Sequence, residues 1–198
     1  NGSLLNLSDD MPKKNLYNNS DLGKFNLTSD AITNVYRHTV RMKDIIELVP
    51  KKKMQFICNS LYEIGGYTLF PGDIRKGVQT INQARGCNQR IVDRFDLTLE
   101  CIRRFYKKQE SPLQKTLEGY QDFFNLFENF KGYVDFFLLQ DFVLVDSYNI
   151  KPLLPFDETF TMRPFPENLQ QYYVYIDNLI SFTKKRTERM LLNNNTTY

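Results

Sequence analysis

The sequence predicts a mainly α-helical fold with an aromatic-rich core and one small β element, with an α+β fold as the alternative. Most of the chain carries apolar residues at helical spacing. Sixteen Phe and twelve Tyr, without any Trp, predict a core built largely of aromatic rings. The run Tyr67–Phe70 lies between Gly65-Gly66 and Pro71-Gly72, which is typical of a short strand bounded by turns.

The domain organisation follows from length and composition. A chain of 198 residues suits one domain, and no linker or internal repeat interrupts this one. We expect a polar N-terminal arm over residues 1–25, a single helical domain over 26–192 and a frayed tail over 193–198.

Helix signals divide the first half of the chain. Thr28, Ser29 and Asp30 resemble an N-cap, and they predict a helix that runs from there to Pro50. A second helix is expected from Lys51 to about Tyr62. The segment Ile81–Gly86 predicts a helical turn that Gly86 ends.

The second half is predicted to be almost entirely helical. The main helix is expected from Asn88 to Lys108, and Ser111-Pro112 is a typical start for the next one. Residues 113–145 are helical and aromatic, with a break predicted at Lys131-Gly132. The proline-rich connector over 146–166 has a candidate strand at Ile150–Leu154, which we expect to pair with the strand-type run described above. A last helix is expected over 167–192.

Charge and cysteine content restrict the functional classes. A net charge of +3 is far weaker than that of a dedicated nucleic-acid-binding domain. Three cysteines at unequal spacing, with His38 as the only histidine, argue against a zinc site and for a reducing cytoplasm. No signal peptide is recognisable. Asp135, Gln140 and Asp141 interrupt every apolar window, so no membrane span is expected.

The segment Ile81–Tyr106 concentrates the charges that hint at chemistry. On a helix from Asn88 to Lys108, about half of the circumference is apolar, which predicts packing by neighbours on more than one side. The opposite half carries the charged residues Asp93, Asp96, Glu100, Arg103, Arg104 and Lys107. Arg94 falls at the edge of the apolar half, so it needs a partner from elsewhere, and Asp135 and Asp141 are candidates.

Three interpretations of this segment remain open. In a purely structural protein-protein interaction domain, Glu100 pairs with Arg103 and Arg104 at helical spacing and no ligand is needed. In a binding module, guanidinium groups converge on a phosphate or carboxylate. The residues of that hypothetical anion site are Asn82, Arg85, Arg94, Asp96, Glu100, Arg103 and Arg104. In a metal-dependent phosphoester hydrolase, Asp93, Asp96 and Glu100 would bind magnesium or manganese.

Five strings of the chain resemble a bacterial family of unknown function. They are FNLTSDAI (25–32), IGGYTLFP (64–71), INQARG (81–86), DRFDLTLECIRRFY (93–106) and YQDFFNLFENFKGYVDFFLLQD (120–141). The usual pattern of that family carries an additional N-terminal segment. The resemblance implies one intact domain, and it brings no activity that can be carried over.

The sequence therefore predicts a cytoplasmic binding or interaction module with an arginine-lined anion pocket. Its expected partner is an anionic small molecule or a nucleic acid. No motif for a cofactor is present, no catalytic residue can be assigned, and the sequence does not decide whether the protein is an enzyme.

Overall fold

The computed structural model describes residues 24–32, 40–75 and 77–195. Most of the predicted N-terminal arm, His38 and the end of the predicted tail lie outside these residues. Two strands and eight α-helices occur within the described part of the chain. They are β1 (Leu27–Ala31), α1 (Lys43–Ile46), α2 (Lys51–Leu61), β2 (Tyr67–Pro71), α3 (Ile81–Cys87), α4 (Phe95–Tyr106), α5 (Gln114–Gly119), α6 (Gln121–Asn125), α7 (Phe130–Phe136) and α8 (Leu169–Asn195). The predicted fold class, mainly α with a small β element, is confirmed.

The two strands form an antiparallel sheet in which Leu27 pairs with Pro71 and Ala31 pairs with Tyr67. The prediction that Thr28, Ser29 and Asp30 cap a helix is therefore wrong. Short polar side chains favour helix caps and turns, but here the backbone groups of β1 bond to β2 instead. The pairing places Asp30 beside the buried side chain of Arg85.

The connector after α7 does not supply the expected partner strand. Ile150 forms only an isolated bridge with Val143, and residues 151–154 are irregular. The predicted pairing of Tyr67–Phe70 with Ile150–Leu154 is wrong: β2 pairs with β1, and Ile150 bridges Val143 instead.

The expected helix from Asn88 to Lys108 is interrupted near its start. Val92 and Asp93 have φ values of 40° and 66°, which lie outside the range of a right-handed helix. Consequently α4 begins at Phe95, and Arg94 is its N-cap with extended backbone. All residues from Phe95 to Ile102 are buried, so neighbours pack against α4 on every side over its first two turns.

Aromatic rings fill the core between α4 and the helices that follow it. Phe124 contacts the rings of Phe105 and Tyr133 at centroid distances of 5.2 and 5.8 Å. Phe127 contacts Phe137 at 5.3 Å. The predicted break at Lys131-Gly132 is wrong, since both residues lie inside α7, and the chain instead turns before that helix, where Asn129 caps its first turn.

The last helix, α8, packs against α2 and a 3-10 turn at Ile64–Gly66. Gly65 is needed at that turn because a β-carbon there would lie 2.4 Å from the carbonyl oxygen of Thr183. Its amide donates to the hydroxyl of Thr187 at 3.1 Å. The first half of the chain is thereby held directly on the last helix.

Candidate functional site

Arg85 lies on α3, which starts with a capping box formed by Thr80 and Gln83. Its side chain has no exposed surface, and its Nη1 donates to Asp30 of β1 at 2.5 Å. Nη2 donates to the carbonyl oxygen of Asp93 at 3.0 Å, and Nε lies 3.3 Å from that residue's carboxylate. Two carboxylates thus compensate one buried cation.

Arg94 and Asp96 form a fully buried ion pair at the start of α4, with Arg94 Nη2 2.5 Å from Asp96 Oδ2. Arg94 also donates to the carbonyl oxygens of Leu154 at 2.7 Å and Pro164 at 3.3 Å. Asp96 accepts from the amide of Leu153 at 2.8 Å. Burial lowers the pKa of Arg94, but the neighbouring Asp96 more than offsets it, so that pKa lies above its ordinary value.

The partners expected for Arg94 are therefore wrong. Asp135 pairs instead with Lys131 within α7, and Asp141 pairs with Arg189 at 2.8 Å. The positive φ values before α4 turn Arg94 away from the helix axis, so it meets the connector rather than the aromatic helices.

Glu100 lies one turn beyond Asp96, and both are buried, although their positions on the predicted helix placed them on its polar half. Arg103 binds both oxygens of Glu100, at 2.7 and 2.8 Å. Arg104 donates to the same carboxylate at 2.7 Å and to the carbonyl oxygen of Glu110 at 3.2 Å. Arg103 and Arg104 remain 15% and 14% exposed.

Asn82 lies apart from this group. Its amide donates to the hydroxyl of Thr28 at 3.2 Å and so ties α3 to β1. The seven residues of the hypothetical anion site consequently separate into a buried frame around Arg85 and Arg94 and a partly open pair, Arg103 and Arg104.

The three carboxylates considered as metal ligands do not converge. Asp93, Asp96 and Glu100 each face a different arginine. Across the described ranges, no group of three or more His, Cys, Asp or Glu residues is arranged to hold a metal ion. The described residues therefore give no geometric support for a metal-dependent phosphoester hydrolase.

A cleft of about 230 Å³ opens between α3 and α5. Its lining residues are Gln79, Ala84, Cys87, Asn88, Pro112, Leu113 and Thr116. None of the residues of the hypothetical anion site contributes to it.

Arg186 of α8 is a buried cation that the sequence did not reveal, since it follows two exposed lysines and resembles part of a solvated basic run. It donates to the carbonyl oxygens of Phe137 at 2.9 Å, Gly65 at 2.8 Å and Tyr67 at 2.5 Å. Burial lowers the pKa of Arg186 to about 10, so it stays charged at neutral pH. Its role is to join α7, β2 and α8.

The fold and its paired charges define a mainly α-helical protein with an aromatic core and a buried arginine frame. The chain belongs to the family of unknown function DUF6994, whose pattern matches residues 1–190. No curated protein and no solved structure matches the chain. Within the described residues, none of the helices has the length and apolar character needed to cross a membrane.

Proposed function

We propose that this protein is a binding module that accepts a phosphate or carboxylate group at Arg103 and Arg104. The observation that carries the proposal is that guanidinium groups outnumber the carboxylate they pair with at this point of α4. Two guanidinium groups share one carboxylate, that of Glu100, and both are partly open to solvent. At Arg85 and Arg94 the cations are fully enclosed and each has at least one carboxylate of its own.

Unused hydrogen-bond donors support the same location. Arg103 uses Nε and Nη2 for its two hydrogen bonds to Glu100. Arg104 uses Nε for Glu100 and Nη1 for the carbonyl oxygen of Glu110. Nη1 of Arg103 and Nη2 of Arg104 have no acceptor in the described part of the chain. A guanidinium group presents five N–H donors, so an anion could bind here without displacing Glu100.

A third arginine borders the pair. Arg90 donates to the carbonyl oxygens of Thr159 and Phe160, and the guanidinium of Arg104 lies 4.9 Å from the ring centre of Phe160. Glu158 also lies near Arg103. Three arginines, Arg90, Arg103 and Arg104, therefore border this part of the surface.

Isothermal titration calorimetry with pyrophosphate and with citrate tests the proposal. Arg103→Gln changes the ratio of guanidinium groups to Glu100 from two to one, while Arg104 keeps Glu100 paired and the fold intact. We expect anion affinity to fall about tenfold or more, since a charge-assisted pair of hydrogen bonds is lost. Glu100→Gln should act in the opposite direction and strengthen binding.

Arg163→Gln is the matched control, because Arg163 is 49% exposed, its pair with Glu167 is long at 3.9 Å and its guanidinium lies 4.2 Å from the ring centre of Phe165. It removes the same charge from the surface and should leave the affinity unchanged. The proposal is overturned if neither anion binds the unchanged protein, or if Arg163→Gln weakens binding as much as Arg103→Gln does.

A further inference from the structure

The helices α2 and α8 pack against each other, and their exposed surface, which we call the α2–α8 face, carries a group of lysines. They are Lys51, Lys52, Lys53, Lys184 and Lys185. Each is exposed, and none forms an ion pair with a carboxylate in the described part of the chain. Lysines elsewhere do find partners at helical spacing, for example Lys43 with Glu47 and Lys131 with Asp135.

The local charge balance of this face is positive. Three of its lysines occupy the first turn of α2, which has no acidic residue there and no side-chain cap. Cations at the start of a helix oppose its dipole, so intrahelical electrostatics do not explain their placement. Residues 51–66 and 169–190, which form most of these two helices and the 3-10 turn, contain five lysines and three carboxylates, Glu63, Asp177 and Glu188.

Large apolar side chains are exposed on the same face. Phe56 of α2 is 57% exposed, and Ile64 in the adjoining 3-10 turn is 64% exposed. The ammonium group of Lys184 lies 5.9 Å from the ring centre of Phe56. Gly65, the next residue after Ile64, bonds to Thr187 one turn further along α8. Phe56 and Ile64 therefore flank the same stretch of α8.

We propose that the α2–α8 face binds an acidic amphipathic helix of a partner protein. Carboxylates of such a segment complement the unpaired lysines, and its apolar side chains cover Phe56 and Ile64. This surface is separate from the arginines of α4 and does not depend on anion binding there.

Two other anionic partners fit the face less well. Single-stranded nucleic acid stacks its bases on open aromatic rings, but Lys184 lies over Phe56 and Lys53 lies 3.6 Å from the ring centre of Tyr173. An anionic membrane would need the apolar side of α2 free for insertion, yet Ile57 is 3% exposed and packs in the core.

Fluorescence anisotropy with a labelled peptide tests the proposal. The probe has leucine at positions i, i+3, i+4 and i+7 with glutamate elsewhere, over about 18 residues, because shorter isolated helices are marginal in water. A scrambled peptide of the same composition is its control. We expect saturable binding of the amphipathic peptide and at least about tenfold weaker binding of the scrambled one.

Protein variants locate the binding surface. Phe56→Ala with Ile64→Ala, and separately Lys52→Glu with Lys184→Glu, should each weaken peptide binding about tenfold or more. Val145→Ala and Lys115→Glu change an exposed apolar and an exposed basic residue elsewhere and should have no effect. Since all of these side chains are exposed, circular dichroism should show an unchanged fold.

Several results would overturn the proposal. They are absence of peptide binding, equal binding of the scrambled peptide, equal weakening by the control variants, or binding of an oligothymidine or anionic vesicles in place of the peptide. Arg103→Gln should leave peptide binding intact, so failure of this proposal and failure of the anion site remain distinguishable.

Discussion

At the scale of single residues, the structure differs from an ordinary helical protein in the number of charges it encloses. Arg85, Arg94, Asp96, Glu100 and Arg186 are all buried. The partners of Glu100 lie on its own helix, but each of the other four has a hydrogen-bond partner on a part of the chain that is distant in sequence. Such groups stabilise a structure only when fully paired, which makes them sensitive to substitution.

Arg94→Met should be strongly destabilising because it leaves Asp96 buried without its cation. We expect a loss of about 3–5 kcal/mol in the free energy of unfolding, measured by urea denaturation. Lys131→Met removes one partner of an exposed pair and should cost less than about 1 kcal/mol. If the two variants are equally stable, the buried pair of Arg94 and Asp96 does not stabilise the packing of the connector between α7 and α8.

Tyr133→Phe and Tyr120→Phe form a contrasting pair. The hydroxyl of Tyr133 is buried and has no partner in the described part of the chain, whereas that of Tyr120 donates to the carbonyl oxygen of Asp73 at 2.6 Å. Removing the first hydroxyl should be neutral or stabilising, and removing the second should cost about 1 kcal/mol. Thermal unfolding of both variants checks this, and the reverse order would contradict it.

At the scale of secondary-structure elements, α8 and the 3-10 turn at Ile64–Gly66 lie close together at Gly65. Gly65→Ala would place a methyl group 2.4 Å from the carbonyl oxygen of Thr183, where backbone cannot yield easily. We expect a loss of about 1–3 kcal/mol or more in unfolding free energy.

Gly77→Ala is the control for that substitution. Its φ of 83° is unfavourable for alanine, but a β-carbon there meets nothing within 4 Å. The loss in unfolding free energy caused by Gly77→Ala should therefore be about 1–2 kcal/mol and come from backbone strain alone. A smaller loss for Gly65→Ala than for Gly77→Ala would mean that α8 can move away from the turn.

The sequence was informative about elements and uninformative about their partners. Periodicity and turn residues predicted α2, β2 and the last helix, because those signals are local. The prediction of a helix start at β1 is wrong because Thr28, Ser29 and Asp30 favour helix caps, and the pairing with β2 that overrides this local preference is not readable from the sequence.

In the candidate site, too, contacts within one helix were predictable and contacts between distant segments were not. The pairing of Glu100 with Arg103 and Arg104 could be predicted because all three lie on one helix. The acceptors of Arg94 and the burial of Asp96 depend on the break at Val92 and on a connector about 60 residues away, which helical periodicity cannot reveal.

At the scale of the whole molecule, buried acidic hydroxyls and thiols make the fold sensitive to high pH. Burial raises the pKa of Cys101 and of Tyr172 to about 12, and it also raises the pKa of Tyr133 and Tyr175. In the unfolded chain these groups ionise near their ordinary values of about 8.5 for Cys and 10 for Tyr. The stability that these buried groups contribute to the fold is therefore complete below about pH 8.5 and is lost as the pH rises toward 12.

Urea denaturation between pH 7 and pH 11 measures this effect. We expect the midpoint to fall steadily above about pH 9, and the ultraviolet signal of tyrosinate to rise partly in step with unfolding. Exposed tyrosines such as Tyr62, which is 66% exposed, should ionise before the fold is lost. A midpoint that is constant up to pH 11 would contradict the burial of these groups.

The buried pair at the start of α4 also has a consequence for synthesis of the chain. Arg94 and Asp96 leave the ribosome together, but the acceptors of Leu154 and Pro164 follow 60 and 70 residues later. Until then both charges retain their water, and the core around them stays open. Truncated products that end before Pro164 lack those acceptors and present an unfinished core to cellular proteases. Completion of the interior is thereby coupled to synthesis of the chain at least as far as Pro164.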